Sequence, residues 1–112
     1  MANDKDFVVN GPVVVGKDTK VTVGTITASA IDLSTGNYFD DTLAANTTYT
    51  ISNAGAVQAF QLEVTGASTY TITWPSSIEW AGGVAPSAPA NGETDVYTFT
   101  TDDGGTTYTG VQ

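Results

Sequence analysis

Phe60, Leu62 and Val64 alternate with Gln61, Glu63 and Thr65. A period of two places successive side chains on opposite faces of a β-strand. Val57 to Thr65 is the strongest strand signal in the chain, with Phe60, Leu62 and Val64 turned to a core. Tyr70, Ile72 and Trp74 repeat the pattern against Thr71 and Thr73. Gly66-Ala67-Ser68 reads as a three-residue hairpin connection between the two runs. An antiparallel pair of this kind supplies half of a core. Pro75 cannot donate a ladder hydrogen bond, so the second strand is expected to end there.

Punctuation of the same kind continues to residue 111. Gly82-Gly83, Pro86 and Pro89 mark a loop after Trp80. Asp95 to Thr101 reads as a strand, Asp102-Asp103-Gly104-Gly105 as a hairpin turn, and Thr106 to Val111 as the return strand. Earlier in the chain Val21 and Val23 alternate with Thr22. Ala28-Ser29-Ala30 weakens Ile26 to Leu33 as a strand, and Asp32 to Asn37 has the composition of a turn. Tyr38-Phe39 restarts a strand that Asp40-Asp41 is expected to cut off. Tyr49 and Ile51 share a face within Thr47 to Ser52, and Asn53-Ala54-Gly55 turns the chain. About seven short strands, no sustained helical period and no long internal repeat predict an all-β body. The expected form is a small antiparallel β-sandwich, with a small β-barrel as the alternative.

Residues 1–20 read differently. Phe7-Val8-Val9 and Val13-Val14-Val15 are short β-prone runs separated by Asn10-Gly11-Pro12. Pro12 removes a donor that a tight hairpin needs, so an extended arm is expected, followed by one antiparallel β domain over residues 21–112. The arm's apolar residues require a partner, in the body or on a neighbouring subunit.

Charge divides the chain at the same place. Among 112 residues there are three lysines, no arginine, no histidine and no cysteine, with a net charge of −9. Lys5, Lys17 and Lys20 are balanced by Asp4, Asp6 and Asp18, so the whole net charge belongs to the body. Such a body repels phosphate backbones and anionic lipid, so no nucleic-acid partner and no membrane are expected. No apolar run approaches the length of a membrane span, and the first residues lack a signal-peptide core. Synthesis in a cytoplasm without secretion by that route is the expectation. Twenty threonines favour strands and cover the surface with hydroxyls.

Chemistry is sparse. Without histidine or cysteine, serine and threonine have no ordinary activating base, and all three lysines lie in the arm. A carboxylate pair would be indistinguishable from surface acids. No enzyme, cofactor or metal is expected. Asp40-Asp41 and Asp102-Asp103 lack EF-hand spacing, and turn preference explains the second pair. Asn46-Thr47-Thr48 matches a glycosylation acceptor but has no secretory context. Trp80 and Tyr108, with Glu79 nearby, are the candidate glycan platform; Trp74, in phase with Tyr70 and Ile72, reads as core.

The string I-T-W-P-S-S-I-E-W-A-G-G-V-A-P, followed by T-D-V-Y-T-F-T-T-D-D-G-G-T-T-Y-T-G, resembles a module of tailed-phage virion proteins, especially those of marine cyanophages. Tyr38-Phe39 through Phe60-Gln61-Leu62 is similar to the same module, and Lys5 to Gly11 is similar to the start of many such proteins. The resemblance implies a virion location, after synthesis in a bacterial host, and carries over no catalytic residue. Its relatives are often longer, with fibrous regions. Here a 20-residue arm precedes the module, which favours a head decoration or cement protein. On that reading Phe7, Val8, Val9, Val13, Val14 and Val15 bind the major capsid protein, another virion protein or a sister subunit, and the protein is a homo-oligomer, a trimer. The alternative is a short tail-fibre or tail-tip module that binds a host surface glycan.

Overall fold

The computed structural model describes residues 21–112. The expected arm, including Phe7 to Val9 and Val13 to Val15, lies outside the described residues.

The body is all-β. Its strands are β1 (Ile26–Thr27), β2 (Ala30–Asp32), β3 (Tyr38–Thr42), β4 (Thr47–Thr48), β5 (Thr50–Ser52), β6 (Gln58–Thr65), β7 (Ile72–Thr73), β8 (Ile78–Trp80), β9 (Thr94–Thr101) and β10 (Tyr108–Val111). A short 3-10 turn at Ala81–Gly83 follows β8. The strands form three sheets, ordered β1-β2-β5, β3-β6-β9-β10-β8 and β4-β7.

β6 forms as its alternation predicts. Phe60, Leu62 and Val64 are buried, and β9 pairs antiparallel along its full length, from Gln58↔Thr101 to Thr65↔Thr94. Opposite Phe60 and Leu62 stand Phe99 and Tyr97, both fully buried. The β9–β10 hairpin also forms, with Thr109 opposite Thr100.

Two expectations about how the strands pair change. The hairpin between β6 and the Tyr70–Trp74 run does not form. At Gly66 the chain instead meets residues 89–93: Gly66 N–H donates to Glu93 O and Gly92 N–H to Gly66 O. A Cβ at Gly66 would come within 2.2 Å of Pro89 O, so only glycine permits this approach. The chain then leaves β6, and β7 pairs with β4. The body is also not wholly antiparallel. β2 with β5, β3 with β6, β4 with β7 and β8 with β10 are parallel pairs.

Three of those parallel pairs share one geometry. Ile31 pairs with Ile51, Phe39 with Leu62, and Thr48 with Thr73, so partners lie 20, 23 and 25 residues apart. The chain thus makes two successive turns, β2-β3-β4 and then β5-β6-β7, stacked strand on strand across the three sheets. Like residues stack inside: Ile31 on Ile51, Phe39 on Leu62, and Tyr49 beside Trp74 with ring centroids 5.5 Å apart. β9, β10 and β8 then extend the middle wall beyond β6.

Two local details explain how so short a wrap forms. β1 and β2 are joined by Ala28-Ser29, both at positive φ (51° and 65°), the left-handed geometry of a two-residue type I′ hairpin loop. The expected cut at Asp40-Asp41 does not occur, and β3 runs through both. Asp40 lies exposed at the sheet edge, where its charge discourages further pairing. Asp41 accepts a 2.7 Å hydrogen bond from Tyr49 Oη, whose ring is buried at 1 % exposure. Burial foremost, then that hydrogen bond to Asp41, pushes the Tyr49 phenol far up.

The core is one aromatic-rich cluster spanning both turns and the closing strands. Trp74 sits at its middle, with ring centroids 5.1 Å from Trp80, 4.9 Å from Tyr97 and 5.7 Å from Phe99. Its indole Nε1 is buried without a hydrogen-bond partner.

Candidate interaction surface

The five-stranded sheet has one face in the core and one in water. Alternation assigns the outer face: Ala59, Gln61, Glu63 and Thr65 from β6, Thr94, Val96, Thr98 and Thr100 from β9, Thr109 and Val111 from β10, and Glu79 from β8. Cross-strand neighbours on it are tied by hydroxyls. Thr65 Oγ1 and Thr94 Oγ1 lie 3.0 Å apart, and Gln61 Nε2 donates to Thr98 Oγ1 at 3.4 Å. The face is hydroxyl-covered and acidic, with Val96 39 % and Val111 48 % exposed.

Two hollows interrupt it. One of about 320 Å3 lies over Val57, Ala59, Thr100, Asp102, Thr107 and Thr109. The other, about 200 Å3, lies over Val21, Asn37, Ala59, Gln61 and Thr98. Ala59 is common to both, because a methyl group stands where its neighbours on the face carry longer side chains.

The edge beside Ala59 is incomplete among the described residues. β9 covers β6 from Gln58 onward, whereas β3 begins to pair only at Gln61. Gln61 N–H donates to Asn37 O on the β3 side. Strand geometry therefore turns the N–H and C=O of Ala59 toward that same side, where no described strand meets them. Val57, just before β6, is 78 % exposed. Val23 pairs in parallel with Tyr38 on the outer edge of β3, and Thr22 O accepts from Asn37 N–H and Tyr38 N–H.

The hairpin at one end of this face is rigidly braced. Asp103 carboxylate accepts from Thr107 N–H at 2.9 Å, Thr107 Oγ1 at 2.6 Å and Thr101 Oγ1 at 3.0 Å. The Thr107 hydroxyl first, then the Thr107 amide, hold its carboxyl down at about 2. These contacts make Asp102-Asp103-Gly104-Gly105 a structural turn. On the opposite, core face of β9, burial and then the Asp95 charge push the Tyr97 phenol up to about 12.

The candidate glycan platform is not assembled. Tyr108 is 3 % exposed and packs edge-on to Phe60 at 6.1 Å. Trp80 is half-buried on Trp74, Tyr97 and Phe99. Glu79, one residue away on β8, is exposed on the opposite face. Period-2 phase explains the separation: Ile78 and Trp80 share the core face with Tyr108 across the parallel β8–β10 pair, and Glu79 does not. Sequence reasoning missed Val57 and Ala59 as surface features. The signal available was the small residue at an outward position of an otherwise bulky strand. No protein-family model, curated protein or solved structure matches this chain.

Proposed function

We propose that this protein is a structural component of a tailed-phage virion, most concretely a decoration protein that attaches to the head exterior through residues 1–20. The observation that carries this reading is the division of charge and apolarity. The body holds all nine unbalanced carboxylates and presents a threonine-covered face, whereas the first 20 residues are neutral and carry two valine-rich runs. The resemblance of the Ile72–Gly110 strings to virion modules gives the same direction. A hydroxylated acidic face is suited to remain in water on a crowded particle, while apolar segments are suited to pair with a capsid or sister-subunit strand. Attachment of many copies to one lattice then reinforces each contact. The reading includes a homo-oligomer, a trimer, and no enzymatic activity.

The test is the location of the protein on purified virions by cryo-electron microscopy. Hundreds of copies on the head are expected. A few copies at the tail would replace the decoration reading with the tail-tip one, which has lost the exposed Trp80–Tyr108 platform it relied on. The anchoring mode is tested by salt. Repulsion between acidic bodies is screened from a range of about 8 Å at physiological ionic strength to about 3 Å at 1 M, while apolar burial persists. Attachment should hold or tighten as salt rises, and progressive release would show that an acidic face holds the particle instead.

A further inference from the structure

We infer that Asn91-Gly92 is a self-modification site, gated by its contacts to Gly66, at which the Gly92 nitrogen closes on the Asn91 side chain and water opens the ring to aspartate or isoaspartate. The inference goes beyond the virion reading and does not rest on it.

The local sequence is the first argument. Among the described residues Asn37, Asn46, Asn53 and Asn91 precede Tyr38, Thr47, Ala54 and Gly92. Ring closure brings the next residue's nitrogen onto the asparagine Cγ, and only glycine has no side chain to hinder that approach. The fold requires glycine there for its own reason. Gly92 has a φ of 82°, in a turn closed by Glu93 N–H donating to Ala90 O at 2.9 Å. Asn91 and Gly92 are both exposed, and a Cβ on Gly92 would meet nothing within 4 Å, so water and hydroxide reach the site.

The hydrogen bonds are the second argument, and they act in opposite senses. Asn91 Oδ1 accepts from Ser68 N–H at 3.1 Å, which draws electron density from Cγ and favours the oxyanion that forms on attack. Gly92 N–H donates to Gly66 O at 2.9 Å, and Gly66 N–H donates to Glu93 O at 2.8 Å. The Gly92 nitrogen cannot attack while that carbonyl holds its proton, so local opening of the Gly66 clasp is the gate.

The chemistry needs only water and hydroxide. The Gly92 nitrogen gives its proton to hydroxide and bonds to Cγ. The Cγ–Nδ2 bond breaks, and Nδ2 takes a proton from water and leaves as ammonia. Water then cleaves one of the two carbonyl–nitrogen bonds of the ring. Cleavage at Cγ gives aspartate, and cleavage at the main-chain carbonyl gives isoaspartate. Isoaspartate lengthens the main chain by one carbon in the turn beside Thr65↔Thr94, the last pair of the β6–β9 ladder, and so loosens that end.

Peptide mass spectrometry on the full-length protein, aged in mildly alkaline buffer, tests this. Asn91 should gain one mass unit and yield both products while Asn37, Asn46 and Asn53 stay intact. A peptide of residues 88–95 should react at least about tenfold faster than the folded protein, because nothing holds its Gly92 amide. Gly66→Ala, whose Cβ would come within 2.2 Å of Pro89 O, forces the clasp open and should bring the folded rate close to that of the peptide. If Gly66→Ala does not fold, urea below the unfolding transition takes its place, and the Asn91 rate should rise while the circular dichroism stays native. Reaction at Asn91 no faster than at the other three asparagines would overturn the site. A wild-type rate equal to the peptide's, or a rate indifferent to Gly66→Ala and to urea, would overturn the gate. Asn91→Asp, which adds the charge without lengthening the chain, should keep the wild-type melting temperature, whereas the isoaspartate fraction should melt lower; equal melting of the two would overturn the loosening.

Discussion

The two-turn wrap and the closing strands of the same sheet are built by different rules. β6 and β9 are eight residues each, antiparallel, and in register from end to end. Apart from β6 itself, the wrap's strands have two to five residues, and the partners in its parallel pairs are 20 to 25 residues apart. A long antiparallel pair is stabilised by its own ladder and cross-strand contacts. A two-residue strand is not, and β4 and β7 are held by the inward residues that directly follow them, Tyr49 and Trp74. The comparison teaches that in this chain the ladder organises one region and the aromatic core organises the other.

The largest expected effect comes from the strand that both regions share. Phe60→Ala removes a ring at 2 % exposure that touches Phe39 of the first turn and Phe99 and Tyr108 of the closing strands. A loss of about 3–5 kcal/mol is expected. Calorimetry should show a single transition, lowered as a whole. Two separated transitions would mean that the regions are independent and the shared-strand account fails.

Trp74→Ala comes next, at about 3 kcal/mol, and Trp80→Ala below it at about 2 kcal/mol, because both rings are half-buried and Trp74 alone bridges to Tyr49 of the wrap. Paired thermal melts decide the order. A larger loss for Trp80→Ala would place the weight of the core on the closing strands and invert the comparison.

The β1–β2 loop offers a gain. Ala28 and Ser29 hold a left-handed geometry that costs L-residues with a Cβ about 1 kcal/mol each. Ala28→Asn with Ser29→Gly supplies the residues this loop prefers and should stabilise the protein by about 1 kcal/mol, read as a shift of about 4–8 °C in melting temperature. No gain would indicate that the loop is strained by its surroundings.

The smallest effect is read by pH. Asp103 is held near 2, below the ordinary aspartate value of about 4 that it takes in the unfolded chain. A lowered folded value means that its contribution is complete above about pH 4 and is lost as pH falls through about 2. The wild-type melting temperature should drop across that window more than that of Asp103→Asn. Identical acid profiles would remove Asp103 from the account of hairpin stability.

These contrasts also explain what the residues revealed in advance. β6, β9, the Asp102–Gly105 turn and the inward set Phe60, Leu62 and Val64 were legible because alternation and turn chemistry act within a few residues. The wrap was not. Its spacing drifts from 20 to 25 residues, so no fixed period stands out. Ala28-Ser29 lacks the glycine that announces such a loop, and Asp40-Asp41 looks like a terminator until Tyr49 supplies a hydrogen bond from eight residues away. The surface was legible in charge and hydroxyl content but not in shape. Nothing in a single strand tells that β3 will start late and leave Ala59, among the described residues, paired on the β9 side alone.

The position of β10 has a consequence for biosynthesis. β8 precedes β9 in the chain, yet in the sheet β10 stands between them. A nascent polypeptide leaving the ribosome can close the two-turn wrap and dock β9 on β6, but β8 has no ladder to join until residues 108–111 have emerged. Ile78 and Trp80 therefore lack a sheet neighbour until β10 is available, although Trp80 can already pack on Trp74, Tyr97 and Phe99. A series of C-terminal truncations should show full protease resistance around Trp80 only when residues 108–111 are present.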